Sequence, residues 1–98
     1  MSAYVIGHLT VHDWERYRAY GAGFFGPLEQ YRGKVLMAED NLEVVEGTAS
    51  GRHVILEFED CDAARAWYQS AEYQEVAQHR LAASTAHFIG IGNSFAQP

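Results

Sequence analysis

Apolar and polar positions divide the chain into four short strand-like stretches, separated by segments with a helical period. The four stretches are rich in aromatic and β-branched residues and are bounded by turn-forming residues, as is typical of β-strands. They are Tyr4–Val11, Lys34–Glu39, Arg52–Glu59 and Thr85–Gly92. Leu42–Glu46, which follows the turn signal Asp40-Asn41, is interpreted as a continuation of the pairing after the second strand.

A helix is predicted after the first strand, because apolar and small residues recur there at spacings of three and four. This face consists of Trp14, Tyr17, Gly21, Phe24, Leu28 and Tyr31. Asp13 provides an N-cap, and Gly33 suits a left-handed stop after the helix. Pro27 closes a glycine-rich segment and lacks a backbone donor, so we expect a kink or a short break over Gly21–Pro27.

A second helical region follows the third strand and is predicted to form in two pieces. Asp60 and Asp62 begin the first piece, which runs to Gln69. Ser70 caps the second piece, which runs to about Ala83. The glutamates in its first turns suit the positive end of a helix.

The predicted element order is β-α-β-β-α-β, which indicates an α+β, ferredoxin-like fold. Its natural arrangement is a four-stranded antiparallel sheet in the order 4-1-3-2, with the helices on one face. No linker or repeat divides the chain, so we predict one domain over residues 1–98, with a core over about 3–92 and a tail over 93–98.

Composition narrows the possible functions without naming one. The chain has 98 residues, 48% of them hydrophobic, which suffices for a single hydrophobic core. Thirteen acidic residues against seven basic ones give a net charge of −6, which disfavours a nucleic-acid partner. Cys61 is the one cysteine, so an internal disulfide and a cysteine-rich zinc site are excluded. The sequence has no export signal and no apolar run of membrane-spanning length, so we expect a cytoplasmic protein without a membrane partner.

The face of the sheet that the helices leave uncovered is predicted to be apolar. Period-two alternation points Val5, Gly7, Leu9, Val54, Leu56, Phe58, Phe88 and Gly90 toward the helices. The same alternation leaves five large apolar side chains outside, namely Tyr4, Ile6, Ile55, Ile89 and Ile91. A patch of this size exceeds what a monomer usually exposes, so we predict a two-fold homodimer through this face. The alternative is an ordinary amphipathic sheet with one face in water.

His8, Glu57 and His87 are the candidate catalytic residues, because all three are expected on the uncovered face. Strands 1 and 3 are taken as parallel neighbours, so His8 and Glu57 are expected at similar heights, and His87 beside the late part of strand 1. Two imidazoles and a carboxylate suit proton transfer near neutral pH or a divalent metal. The plainer interpretation is a polar set that fixes the register of the dimer. No tight ligand spacing supports a metal, and no cofactor is predicted.

A second candidate site lies between the helices and the sheet. Its candidate ligand-binding residues are Tyr20, Phe25, Trp67, Tyr68, Tyr73 and Arg80. The rings suit a planar organic ligand, and the segment Gly21–Gly26 gives such a pocket room. The alternative is that most of these rings are core. Arg80 is expected to pair with an internal carboxylate such as Glu57, to pair with a ligand, or to lie at the surface.

Five segments of the chain resemble one protein family over about Tyr4–Gly92. They read DWERYRAYGAG, LEQYRGKVL, VVEG, VILEFED and AARAWYQSAEYQEVAQHR, and the last, around Ala64–Arg80, is the most specific. The chain resembles the bacterial family catalogued as domain of unknown function thirteen-thirty. The resemblance implies a ferredoxin-like fold in the dimeric α/β-barrel superfamily. Tyr31-Arg32-Gly33 stands where that family commonly has paired glycines.

The leading functional hypothesis is a small homodimer that binds a small organic molecule and, if it is an enzyme, transforms it by cofactor-free proton transfer or isomerisation. In that case His8 or His87 is the base, Glu57 orients it and tyrosines position the substrate. One alternative is a non-catalytic dimeric module with a structural or stress-related role. Another, by analogy with the superfamily, is a haem- or metal-handling protein or a cofactor-free monooxygenase.

Overall fold

Four strands and three helices make up the part of the chain, residues 2–95, that the computed structural model describes. They are β1 (Ala3–Val11), α1 (Trp14–Gln30), β2 (Lys34–Glu39), β3 (Arg52–Phe58), α2 (Cys61–Gln69), α3 (Ala71–Ala83) and β4 (Ser84–Asn93). The fold is therefore α+β and ferredoxin-like, with its second helical segment in two pieces as predicted.

The four strands form one sheet in the order β2-β3-β1-β4, which is the predicted order. All neighbouring strands are antiparallel, and this overturns the assumption that β1 and β3 are parallel. The helical crossover keeps β1 and β2 parallel, and the reversal between β2 and β3 then makes β3 antiparallel to β1. As a result Glu57 pairs with Tyr4, whereas His8 pairs with His53.

The helices begin where side-chain oxygens were predicted to cap them. Asp13 accepts a hydrogen bond from the Arg16 amide at 3.0 Å, and Asp60 accepts one from the Ala63 amide at 2.7 Å. The predicted break in α1 is absent, because the helix continues through Pro27 to Gln30. Pro27 itself is buried, so core packing outweighs its missing backbone donor.

The end of α1 differs from the prediction in the role of its glycine. The left-handed residue is Arg32, with φ of 59°, and not Gly33. The amides of Gly33 and Arg32 bond back to the carbonyls of Leu28 and Glu29, which is a Schellman ending. A Cβ on Gly33 would lie 2.5 Å from Leu28 Cδ1 and 2.7 Å from the Phe58 ring, so glycine is needed here for close packing.

A β-bulge in β4 reverses part of the predicted alternation. His8 pairs with Phe88 and Leu9 pairs with Ala86, which leaves His87 as the extra residue. Beyond the bulge every side chain changes face. Ile89 and Ile91, predicted outside, therefore lie on the helix side, and Phe88, predicted inside, lies on the uncovered face.

The hydrophobic core fills the space between the sheet and the helices. It includes Val5, Leu9, Leu56 and Phe58 from the sheet and Tyr17, Tyr20, Phe24, Leu28, Trp67, Tyr73 and Ala77 from the helices. α2 lies on the strands, while α1 packs chiefly along α3. This leaves space between α1 and the sheet.

The remaining segments contain two further differences from the predictions. Leu42–Glu46 forms no strand, and its residues are exposed. β4 includes Asn93, where the tail was expected to begin, and the Ser94 amide donates a hydrogen bond to the Ser2 carbonyl. Residues 96–98 of the predicted tail lie outside the described part of the chain. Within residues 2–95, none of the helices combines the length and apolar character that crossing a bilayer requires.

Candidate functional site

A cavity of about 150 Å³ lies between α1 and the sheet. Aliphatic side chains of β1 and β3 form its floor, and aromatic side chains of the helices form its walls. The ring-bearing and charged residues at the cavity include Tyr20, Phe24, Phe25, Trp67, Tyr73 and Arg80. An engineered apolar cavity of roughly 150 Å³ in another protein holds benzene, so this one has room for a single six-membered ring.

The spacing of residues on the helices places the cavity side chains. Tyr20 and Phe24 are one turn apart on the buried face of α1, and Tyr73 and Arg80 are two turns apart on the buried face of α3. Gly7 of β1 faces the cavity, and a Cβ at this position would meet only Ile89 Cγ1, at 3.9 Å. Helix spacing thus gathers the aromatic rings, and the small Gly7 leaves the space beneath them.

Two phenol groups form a polar pair inside this apolar surface. The hydroxyls of Tyr20 and Tyr73 are 2.8 Å apart and buried, and the ring of Trp67 packs on Tyr73 with 4.1 Å between centroids. Burial raises the pKa of Tyr20 well above its ordinary value, and the neighbouring Tyr73 acts in the same direction. Tyr20 therefore stays protonated at neutral pH.

Arg80 is a buried cation beside these phenols. Its residue is 3% exposed, and its Nε has no hydrogen-bond partner within residues 2–95. In the same part of the chain no carboxylate lies within 4.0 Å of its nitrogens. Burial lowers the pKa of Arg80, but the phenols of Tyr73 and Tyr20 raise it, and the net direction is upward.

The expected pairing of Arg80 with Glu57 is wrong. Glu57 alternates with the inward residues Leu56 and Phe58 of β3, so its side chain belongs to the opposite face of the sheet. Of the three alternatives given for Arg80, the surface position is excluded as well, because the residue is 3% exposed.

A second arginine, Arg52, lines the same cavity and was missed by the sequence reasoning. Its Nη1 donates to Asp40 Oδ2 at 2.8 Å, and its Cζ lies 5.7 Å from the centroid of the Tyr17 ring and 5.9 Å from that of Trp14. The alternation that turns Val54 inward also turns Arg52 inward, so the sequence did contain a signal for it. Its charge is already matched by Asp40.

The uncovered face of the sheet carries a cluster of three imidazoles, which we call the histidine cluster: His8, His53 and His87. The His8 ring stacks on His53 with 4.4 Å between centroids and lies 4.5 Å from His87. His8 Nε2 is 2.7 Å from the Ser50 carbonyl oxygen, which can only accept, so His8 donates there. His87 Nε2 is 2.6 Å from Thr10 Oγ1.

Only part of the predicted catalytic set comes together in this cluster. His8 and His87 are neighbours, helped by the bulge at His87. Glu57 lies four residues from the position opposite His8, or about 13 Å along the strand. His53, which alternates with the inward residues Arg52 and Val54 of β3, occupies the position expected for Glu57.

The sheet separates the two groups of predicted site residues. Tyr20, Phe25, Trp67, Tyr73 and Arg80 line the cavity on the helix side. Tyr68 lies beside it, in a second concavity with Trp67, Val5, Ile89 and Ile91. The histidine cluster is on the other face, so one ligand cannot touch both groups within a protomer. Among residues 2–95, no group of three His, Cys, Asp or Glu side chains is arranged to hold a metal ion.

Comparison with known proteins places this chain in a family and a fold. Residues 2–93 match the sequence model of the family described as a domain of unknown function, DUF1330. No curated protein shows significant sequence similarity to the chain.

Solved structures share the fold at low sequence identity. RPA0582, a protein of unknown function from Rhodopseudomonas palustris, is 17% identical with a TM-score of 0.79, over 98% of this chain and 84% of that one. SnoaB, a cofactor-independent oxygenase from Streptomyces nogalater, is 16% identical with a TM-score of 0.60, over 98% and 95%. A dimeric protein of unknown function with a ferredoxin-like fold from Bacteroides fragilis is 8% identical with a TM-score of 0.58, over 92% of each chain.

Proposed function

The chain belongs to the DUF1330 family, and we propose that it is a homodimeric protein that binds a small planar organic molecule in the cavity between α1 and the sheet. The observation that carries this proposal is the cavity itself: about 150 Å³, apolar, walled by aromatic rings and containing the Tyr20–Tyr73 hydroxyl pair. Concave apolar surfaces with a few convergent polar groups are the usual form of small-molecule sites. The phenols supply orientation, and the rings supply contact area.

Binding is proposed ahead of conversion because of the groups that line the cavity. The lining contains tyrosines and arginines but no carboxylate and no imidazole. A proton-abstracting base is therefore missing from it, and the histidine cluster lies across the sheet. Cofactor-independent oxygenation, the activity of the fold relative SnoaB, is a second candidate, favoured by the apolar, aromatic lining of the cavity. The oxygenase candidate predicts that the protein consumes oxygen in the presence of an electron-rich organic molecule that it binds.

Ligand binding can be tested with a variant that fills the cavity. Gly7→Val places a side chain in the space above β1, where a Cβ has room. Phenol, a neutral single ring, is expected to bind the native protein and shift the NMR signals of Trp67, and this binding should be lost in Gly7→Val. Gly26→Val adds the same side chain at an exposed position of α1 outside the cavity lining, where nothing lies within 4 Å, and serves as the control.

Three results decide this proposal. Phenol binding that is lost only in Gly7→Val supports a ligand site in the cavity. Equal binding by Gly7→Val overturns the location. Absence of binding by the native protein at millimolar phenol overturns the proposal that the cavity accepts a single ring.

The homodimer is proposed through the uncovered face of the sheet. Ile6 is 46% exposed and Phe88 is 52% exposed on this face, although both are large and apolar. The B. fragilis relative with this fold is described as dimeric, which supports the same assembly here. Ile6→Lys should therefore yield an 11.0 kDa monomer by sedimentation. Val45→Lys, at a loop residue 86% exposed, should leave the dimer intact.

The contacts of the histidine cluster favour a structural role over a catalytic one. His8 and His87 both engage hydrogen-bond partners through Nε2, and the His8 ring stacks on His53 and packs at a tilt against His87. Under this proposal His8→Ala weakens the dimer while phenol binding in the cavity persists. An intact dimer together with loss of a chemical activity would instead support proton transfer by His8 or His87, as the sequence hypothesis holds.

A further inference from the structure

We propose that the natural ligand of this cavity is an organic anion, a planar carboxylate or a group of the same shape and charge, and that Arg80 is the residue that holds its charge. The inference rests on the proposed function, since it specifies the chemistry of the same cavity. It assigns to Arg80 a binding role, which is distinct from the packing role of the surrounding rings.

Arg80 lacks a negatively charged partner in the described part of the chain. Arg80 is 3% exposed, and its Nε donates to no group within residues 2–95. In that part of the chain the two ion pairs are Arg52–Asp40 and Arg65–Asp62, so Arg80 has no carboxylate partner there. A buried cation is costly unless it is paired and hydrogen-bonded. Without a ligand, the positive charge of Arg80 is therefore not balanced by any carboxylate of residues 2–95.

The phenol of Tyr20, which lies beside Arg80, does not supply the missing negative charge. Tyr20 and Tyr73 are the polar neighbours of Arg80, but burial keeps the Tyr20 phenol protonated at neutral pH. Tyr20 therefore cannot replace an anion, and because one hydroxyl of the Tyr20–Tyr73 pair donates to the other, one phenol O–H is left to donate to a ligand. A carboxylate placed here would receive a charge-assisted bond from Arg80 and a second bond from a phenol.

The surroundings of Arg80 also determine how the cavity would select an anion and how large the ligand can be. The chain carries a net charge of −6, so long-range attraction does not bring anions to it. Selection must come from a buried cation at short range, where the dielectric constant is low. Arg52 is neutralised by Asp40, which leaves Arg80 for this purpose. The volume of about 150 Å³ limits the enclosed part of the ligand to about one ring.

The test compares two ligands that differ in charge and hardly in shape, benzoate and benzamide, on the full-length protein by titration calorimetry. Native protein should bind benzoate at least about tenfold more tightly than benzamide. Arg80→Met should lose at least about tenfold in benzoate affinity and lose less in benzamide affinity, so that the preference for benzoate falls. Arg80→Lys, which retains the charge and loses the planar fork, should retain part of the preference. Arg65→Met, an exposed arginine on α2, is the control.

The outcomes separate this inference from the proposal beneath it. If phenol and benzamide bind as tightly as benzoate, the cavity is a ligand site and the assignment of an anion is wrong. If Arg80→Met binds benzoate like the native protein, Arg80 is not the anchor. If no ring compound binds, the proposed function itself fails. Should Arg80→Met not fold, the benzoate preference of Arg80→Lys against that of Arg65→Met decides the same question.

Discussion

Replacing Arg80 by methionine should make the ligand-free protein more stable. Arg80 is buried, and its Nε donor has no partner within residues 2–95. An unsatisfied buried donor costs about 1–3 kcal/mol, and methionine keeps most of the apolar stem without it. We expect the free energy of unfolding to rise by about 1–2 kcal/mol. At about 4–8 °C per kcal/mol for a domain of this size, Tm should rise by at least about 4 °C.

The assay is urea unfolding without ligand and at fixed protein concentration, so that the proposed dimerisation contributes equally to all variants. Arg65→Met is the matched control, because the Arg65 side chain is 52% exposed and its loss should change stability by less than about 0.5 kcal/mol. Saturating benzoate should reverse the order and favour the native protein. If Arg80→Met is less stable than the native protein by more than about 1 kcal/mol, then Arg80 is a structural residue and the reasoning from a missing counter-charge is refuted.

Three further variants test packing, capping and ionisation by urea unfolding. Gly33→Ala should lower the free energy of unfolding by about 1–3 kcal/mol, because the new Cβ would lie 2.5 Å from Leu28 Cδ1. The control Gly21→Ala, whose Cβ would have nothing within 4 Å, should not lower it. Equal losses in the two variants would contradict the packing argument. Ser70→Ala should lose about 1 kcal/mol, because Ser70 Oγ accepts from the first turn of α3 at 3.1 Å; an unchanged midpoint would show that the cap is dispensable. Folding raises the pKa of Tyr20, so as the pH rises the unfolded chain loses this proton at a lower pH than the folded chain does. The contribution of Tyr20 to the free energy of unfolding therefore falls above about pH 10. Tyr20→Phe should show a smaller loss of stability between pH 9 and pH 11, and an identical loss would contradict the burial of this phenol.

The sequence was sufficient to predict the fold because several local signals agreed. Asp13, Asp60 and Ser70 cap helices as expected, and the strand order follows from the connections. The errors arose where tertiary packing decides the outcome. Pro27 does not break α1, because it is buried in the core, and Gly33 serves close packing where a left-handed turn was expected.

The candidate site was harder to predict than the fold. The rings of Tyr20, Trp67 and Tyr73 were gathered correctly, because helical spacing alone brings them to one side. The side of the sheet on which each strand residue lies was predicted less well. One extra residue in β4 moves every later side chain to the opposite face, and no sequence pattern marks that bulge. The partner of His8 was missed for a related reason, because strand direction decides whether His53 or Glu57 lies opposite.

The bulge at His87 has a consequence for how this protein can change. One added residue places Phe88 on the uncovered face of the sheet and places Ile89 and Ile91 on the helix side. Deleting His87 would exchange these two sets in a single step. A change of one residue in the length of β4 would therefore alter the proposed ligand cavity and the proposed dimer face together.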